Sequence, residues 1–184
     1  LFLGLSIGAN VVIARGFGAN DYKGMSDAVH TAILASLISG VVLAVFGFFM
    51  SETFLIWMDT TEEALPLATL YMKIYFIGMP VNMLYNFGAA VLRAIGDTRR
   101  PLIYLTLAGI INVVLNLFVV IVFHMDVAGV ALATITSQAV SAILVLICLC
   151  RSEGAIRVNL KRLHINRKQI VEIARIGLPA GIQG

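Results

Sequence analysis

Residues 102–123 read LIYLTLAGIINVVLNLFVVIVF. Between Leu102 and Phe123 there is no charged side chain and no proline, and two carboxamides, Asn112 and Asn116, stand four residues apart. A helix needs about 20 mostly apolar residues to cross roughly 30 Å of hydrocarbon. This run meets that length by itself. On either side of it similar runs recur. Those at about Val29–Met50 and Val127–Cys150 are uncharged, and the one at about Leu65–Leu92 carries a single charge, Lys73. A shorter run at Leu1–Ala14 and another beginning near Ile176 complete the series. None shows the strict alternation of a membrane strand, which argues against a β-barrel. The sequence predicts an all-α, polytopic membrane helix bundle.

Composition agrees. Of the 184 residues 60% are hydrophobic and 12% charged, and the mean hydropathy is +0.96. A soluble domain carries about 25% charged residues, and any globule in water must turn part of its surface outward. Lipid must therefore solvate much of this chain. The net charge of +3 comes with no basic stripe interleaved with aromatics, so no nucleic-acid partner is expected. Cys148 and Cys150 match neither a zinc pair nor a C-x-x-C redox pair and read as apolar fillers. The chain begins without Met and stops as an apolar run begins, as a segment of a longer protein would.

The connections carry a pattern. Those at Arg15–Ala28, Arg93–Pro101 and Arg151–Arg175 hold twelve of the thirteen Lys and Arg residues; those at Ser51–Ala64 and His124–Asp126 hold none. In place of cations the latter pair hold Glu52, Asp59, Glu62, Glu63 and Asp126. If every run spans, alternate connections lie on opposite sides, and the positive-inside rule puts the basic ones in the cytoplasm. In the last of these, Asn166–Arg175 sets Ile170, Val171 and Ile173 among basic residues. Two readings stay open for it: an amphipathic helix on the membrane surface with Asn166 as N-cap, or a solvated linker.

Polar side chains inside spans tend to face a bundle interior or a cavity. Asn112 and Asn116 share one helix face. Counting from the short run at Leu1–Ala14, Asn82, Tyr85 and Asn86 follow Gly78 and Pro80 in the third run, where proline should kink the helix. Thr134, Thr136, Ser137, Gln138 and Ser141 punctuate the fifth. These residues either bond between packed helices or line a cavity. Met79, Met83, Tyr85 and Phe87, near the kink, are candidates for an apolar cavity wall. Small residues at four-residue spacing (Gly4 and Gly8, Ser36 and Gly40, Gly129 and Ala133) fit close helix packing. No Asp or Glu lies in the middle of a span, although a coupling-ion site usually has a carboxylate at that depth. Lys73 reads as a residue that snorkels outward or lines an outward-facing vestibule.

The segment Leu92-Arg93-Ala94-Ile95-Gly96-Asp97-Thr98-Arg99-Arg100-Pro101 resembles the loop after the fourth span of MATE (multidrug and toxic compound extrusion) transporters. Asn112-Val-Val-Leu-Asn116 and Gly129-Val-Ala-Leu-Ala-Thr134 resemble that family's fifth and sixth spans, and Ile176-Gly177-Leu178-Pro179 the start of its seventh. The resemblance covers essentially the whole chain. It implies twelve spans in two lobes, with residues 1–150 in the first lobe, 151–175 as the cytoplasmic linker and 176–184 opening the second. It further implies alternating-access efflux of amphipathic, often cationic, drugs or metabolites, coupled to sodium or proton entry, in a bacterial plasma membrane, by a protein expected to be monomeric. No cofactor or metal is implied. Cavity candidates are Asn86, Asn112, Asn116, Thr134, Tyr85 and Gln138, with Gly78 and Pro80 as the kink and Arg93, Gly96, Asp97 and Pro101 as the loop motif. Family members carry an Asp where Asn116 stands, so a first-lobe cation site is in doubt and the coupling carboxylate is expected outside these residues.

Two other classes compete. A lipid-linked oligosaccharide flippase of the same wider superfamily would want a cavity rich in Arg and Lys, and only Lys73 is at membrane depth. A membrane-embedded enzyme would need a His/Asp/Glu or Ser/Lys constellation, which the spans lack; the chain is not expected to be an enzyme. The charge alternation predicts that, with Cys148 and Cys150 removed, Thr60→Cys labels with an impermeant thiol reagent on intact cells and Thr98→Cys does not. Equal labelling at the two positions would refute the orientation.

Overall fold

The computed structural model describes residues 2–59, 61–124, 127–151, 156–158 and 163–183. Thr60, Asp126, Lys161 and Arg162, used in the topology argument, lie outside the described residues, as does part of the 151–175 linker. Among the described residues are seven helices and no strand: α1 (Phe2–Gly18), α2 (Tyr22–Trp57), α3 (Leu65–Ile77), α4 (Met79–Ala94), α5 (Arg99–Val122), α6 (Val127–Arg151) and α7 (Arg167–Gln183). The protein is a polytopic membrane helix bundle. By length and composition α2, α5 and most of α6 each suffice to cross a membrane, and the bent pair α3–α4 makes a fourth crossing if taken as one span.

The second run is longer than its apolar stretch indicated. α2 has 36 residues, about 54 Å at 1.5 Å per residue, so it extends beyond the hydrocarbon at its ends. Asp21 caps it, accepting a hydrogen bond from the Gly24 amide at 3.1 Å. Its first half is buried around Met25, Val29 and Ile33, whereas Val41, Val42, Val45, Phe46 and Phe49 are exposed.

The third run was expected to be one span kinked at Gly78 and Pro80. It is two helices meeting at 47°, and the break is at Gly78. Gly78 ends α3 and precedes α4, and a Cβ there would lie 2.7 Å from Ile135 Cγ1 of α6. Pro80 sits in the first turn of α4, where its missing N–H has no intrahelical carbonyl to meet. The break thus falls at Gly78, and Pro80, which cannot continue the hydrogen-bond ladder of α3, starts the second helix.

The turn after α4 explains the loop motif. Gly96 has φ +88°; its amide donates to the Arg93 carbonyl at 3.0 Å, and the Asp97 amide reaches back to the Leu92 carbonyl at 3.0 Å. This pair of bonds is a Schellman closure, which wants glycine at the left-handed position. Asp97 then accepts from the Arg100 amide at 3.2 Å and pairs with Arg100 Nε at 3.3 Å. Tyr85 Oη donates to the Pro101 carbonyl at 2.9 Å. The motif ends α4, starts α5 and ties the two together.

Two buried clusters hold the bundle. One gathers Ile13, Val29, Ile33, Val91, Leu92, Val145 and Leu149 from α1, α2, α4 and α6 with Ile156 and Val158 of the linker. The other joins Ala9, Ala32, Met83 and Phe87 to Ile173 of α7. Met83 and Phe87, 3% and 0% exposed, are therefore packing residues and not the cavity wall expected of them. Asn166 is the N-cap, accepting from the Lys168 and Gln169 amides at 3.1 and 3.3 Å. The helix it starts differs from the expected surface helix. α7 continues without interruption through Ile176-Gly177-Leu178-Pro179, and the residue 175/176 boundary falls inside it.

α7 lies along α1. A Cβ on Gly4 would collide with the backbone of Gly177 and Gly181, and one on Gly8 with the Ile173 carbonyl and, at 2.8 Å, the Gly177 amide. The four-residue spacing of Gly4 and Gly8 is thus a backbone-to-backbone crossing. Because backbone cannot move aside as a side-chain tip does, Gly8→Ala should destabilise the full-length protein by about 1–3 kcal/mol through overpacking. Gly109→Ala, where a Cβ would meet nothing within 4 Å, should be neutral or slightly stabilising. Thermal unfolding of the two detergent-purified variants checks this; equal melting temperatures would contradict the crossing.

Candidate functional site

The polar residues within the helices form three separate sets. On α4, Asn86 Nδ2 donates to Asn82 Oδ1 at 2.8 Å and to the Asn82 carbonyl at 2.9 Å. On α6 the hydroxyls turn back on their own helix: Thr134 to Val130 O at 3.0 Å, Thr136 to Leu132 O at 2.8 Å, Ser137 to Thr134 O at 2.8 Å and Ser141 to Gln138 O at 2.7 Å. None of these hydroxyl bonds crosses to another helix, so they do not provide the interhelical bonding considered for them. On α5, Asn116 Nδ2 donates to Asn112 Oδ1 at 3.1 Å, as the shared face predicts.

Asn116 differs from the others. Its Oδ1 is buried and accepts no hydrogen bond. A buried acceptor left unmade costs about 1–3 kcal/mol. α5 packs along α6, which carries Thr134 and Gln138, but no hydrogen bond joins either of them to Asn112 or Asn116. Tyr85 and Asn86 are not joined to this pair either: the Tyr85 hydroxyl is engaged at Pro101, and Asn86 is engaged within α4. The structure thus brings Asn112 and Asn116 together on the α5 face packed with α6, and leaves the α4 residues as a separate polar patch.

Chemically the α5 pair offers neutral carboxamides. They can accept from an ammonium or ligate a cation without a fixed charge of their own. Among the described residues no group of three His, Cys, Asp or Glu side chains is placed to hold a metal ion. Lys73 stacks its ammonium 5.4 Å from the Phe48 ring centre, a cation–π contact between α3 and α2.

Polar contacts not anticipated from sequence cluster where the linker meets α2. Thr31, fully buried, donates to the His164 carbonyl at 3.4 Å and accepts from the Asn166 amide at 2.9 Å. Asp27 accepts from His164 Nε2 at 3.2 Å and Asn166 Nδ2 at 3.3 Å, and the His30 and His164 rings stack at 5.9 Å. This clasp fixes the entry to α7. Asn10 Nδ2 likewise donates to the Ala90 carbonyl at 3.0 Å, beside a cavity of about 250 Å³ between α1 and α4 that Ser6 and Arg93 also line.

A sequence model of the MatE family matches residues 1–118. The chain is 32% identical over 181 residues to "Probable multidrug resistance protein YpnP" of Bacillus subtilis (strain 168), covering 98% of this chain and 40% of that protein. A solved multidrug resistance MATE family transporter of the MOP superfamily in its inward-facing conformation superposes with a TM-score of 0.90 at 26% identity, over 98% of this chain and 41% of the other. An outward-facing conformation gives 0.89 at 27% identity, over 99% and 41%. The chain thus spans about 40% of the length of the curated relatives it matches.

The unmade acceptor on Asn116 yields a prediction. Asn116→Asp places a carboxyl in an apolar setting that raises its pKa. Below that pKa the side chain is neutral, like Asn; above it the side chain is charged. Transport by the full-length variant should match wild type at acid pH and diverge as pH rises. Superimposable pH profiles would place Asn116 outside the working cavity.

Proposed function

We propose, from the premise that this chain belongs to the MatE family, that the full-length protein is a secondary active exporter. Its substrates are amphipathic, often cationic, small molecules, and sodium or proton entry drives it across a bacterial plasma membrane. The single observation that carries this reading is the near-equal likeness to inward- and outward-facing transporters, with TM-scores of 0.90 and 0.89. A unit that fits both ends of a transport cycle equally well can move as a body, as rocking of two lobes requires.

The substrate class follows from charge. At membrane depth the described helices carry Lys73 but no basic cluster able to hold phosphate or sugar acids, and the α5 pair presents neutral acceptors. Relatives named for multidrug resistance and multidrug export fit this reading. The ion-coupling carboxylate belongs to parts of the protein beyond these 184 residues, since no Asp or Glu lies mid-span here. Transport involves no catalysis and no cofactor, and the working unit is a monomer. Expression of the complete gene in a pump-deficient bacterium should raise ethidium efflux several-fold, and the efflux should collapse when ion gradients are dissipated. Background dye efflux together with translocation of a lipid-linked sugar would replace this reading with the flippase.

A further inference from the structure

We infer that the end of the bundle where α5 begins and α6 ends holds a site for the phosphodiester headgroup of an anionic glycerophospholipid. A cavity of about 620 Å³ opens there, with Arg100, Tyr104, Leu144, Ile147, Cys148 and Arg151 among its lining residues. The positive-inside rule puts this end at the cytoplasmic leaflet, whose anionic lipids attract basic side chains next to the membrane.

Three features distinguish the cavity from a scatter of surface arginines. Arg100 reaches across the α5–α6 groove: its Nη1 lies 3.3 Å from Cys148 Sγ, and its Nε is 3.3 Å from Asp97 Oδ2. The second cation, Arg151, closes the last turn of α6, so one cation comes from each helix. The wall continues along α6 as Ile147 and Leu144, one and two turns from Arg151 toward the membrane interior, and Ile147 is 44% exposed. The site therefore has a charged mouth and an apolar groove below it, the order in which a lipid presents headgroup and acyl chain.

Charge also selects the kind of phosphate. Two guanidiniums less the Asp97 carboxylate leave one net positive charge. That balances the single negative charge of a phosphodiester such as phosphatidylglycerol better than the charge of free phosphate, part of which is dianion near neutral pH. The Tyr104 hydroxyl adds a neutral hydrogen-bonding group at the same mouth.

Native mass spectrometry of the full-length protein, released from nanodiscs of equal phosphatidylglycerol and phosphatidylcholine, tests this. Wild type should retain phosphatidylglycerol in preference to phosphatidylcholine. Each arginine beside an anionic lipid is worth several-fold in affinity, so Arg100→Gln with Arg151→Gln should cut that retention roughly tenfold. Ile147→Trp, which fills the groove without touching charge, should cut it as well, and this guards against a double variant that folds poorly. Added inorganic phosphate should leave the bound lipid in place. Equal retention of the two lipids by wild type, retention unaffected by all these substitutions (the result expected if another part of the full chain covers the groove), or displacement by inorganic phosphate would each overturn the site.

Discussion

Helices solvated by lipid gain little from hiding apolar side chains from one another, because a lipid tail is as apolar as leucine. What brings them together here is close approach, and it depends on side chains that are missing or small. α1 meets α7 backbone to backbone at Gly4, Gly8, Gly177 and Gly181; α2 meets the start of α4 where Gly40 faces Pro80; α3 reaches α2 where Phe76 fills the space over Gly47; and Val145 of α6 fills the space over Gly88 of α4. Each of these four helix pairs is positioned by the volume one partner lacks. Large exposed residues such as Val113, Val114 and Leu117 of α5 contribute solubility in the bilayer but fix no neighbour.

The direction of α5 is set separately, by the turn from Leu92 to Pro101. The left-handed Gly96 closes α4, Asp97 opens α5, and the Tyr85 hydroxyl holds the new helix at its first turn. Few other contacts join α4 to α5, whose packing is almost wholly with α6. A short hydrogen-bonded turn thus ties the start of α5 to α4, and packing against α6 holds the rest of the helix. The loop motif, one of the set that carried the resemblance to a transporter family, thus has a structural job.

Much of this was legible because membrane constraints are strict. Backbone in hydrocarbon must satisfy its own hydrogen bonds, so uncharged runs of sufficient length become helices, and Asn112 and Asn116 share a face by period alone. The Gly4–Gly8 spacing and the Asn166 cap also read directly. Other features depended on partners distant in sequence. The bend at Gly78 was legible beside Pro80, but the crowding of Ile135 from α6 against Gly78 was not. Met83 and Phe87 look alike whether they face a cavity or a core, and Ala9, Ala32 and Ile173 decide for the core. Thr31 and His164 are 133 residues apart, and nothing local in either marks the clasp they form.

The remaining imbalance lies at Asn116. Asn112 and the threonine and serine hydroxyls described on α6 bond within their own helices, yet Asn116 Oδ1 is buried with nothing to accept. A carboxylate at that position would bind a cation strongly, and would have to be neutralised each time the site emptied, because a bare charge in low dielectric is costly. A carboxamide oxygen binds less strongly and leaves less behind when its partner departs. Under the exporter reading proposed above, that weaker hold would suit reversible capture of a cationic guest.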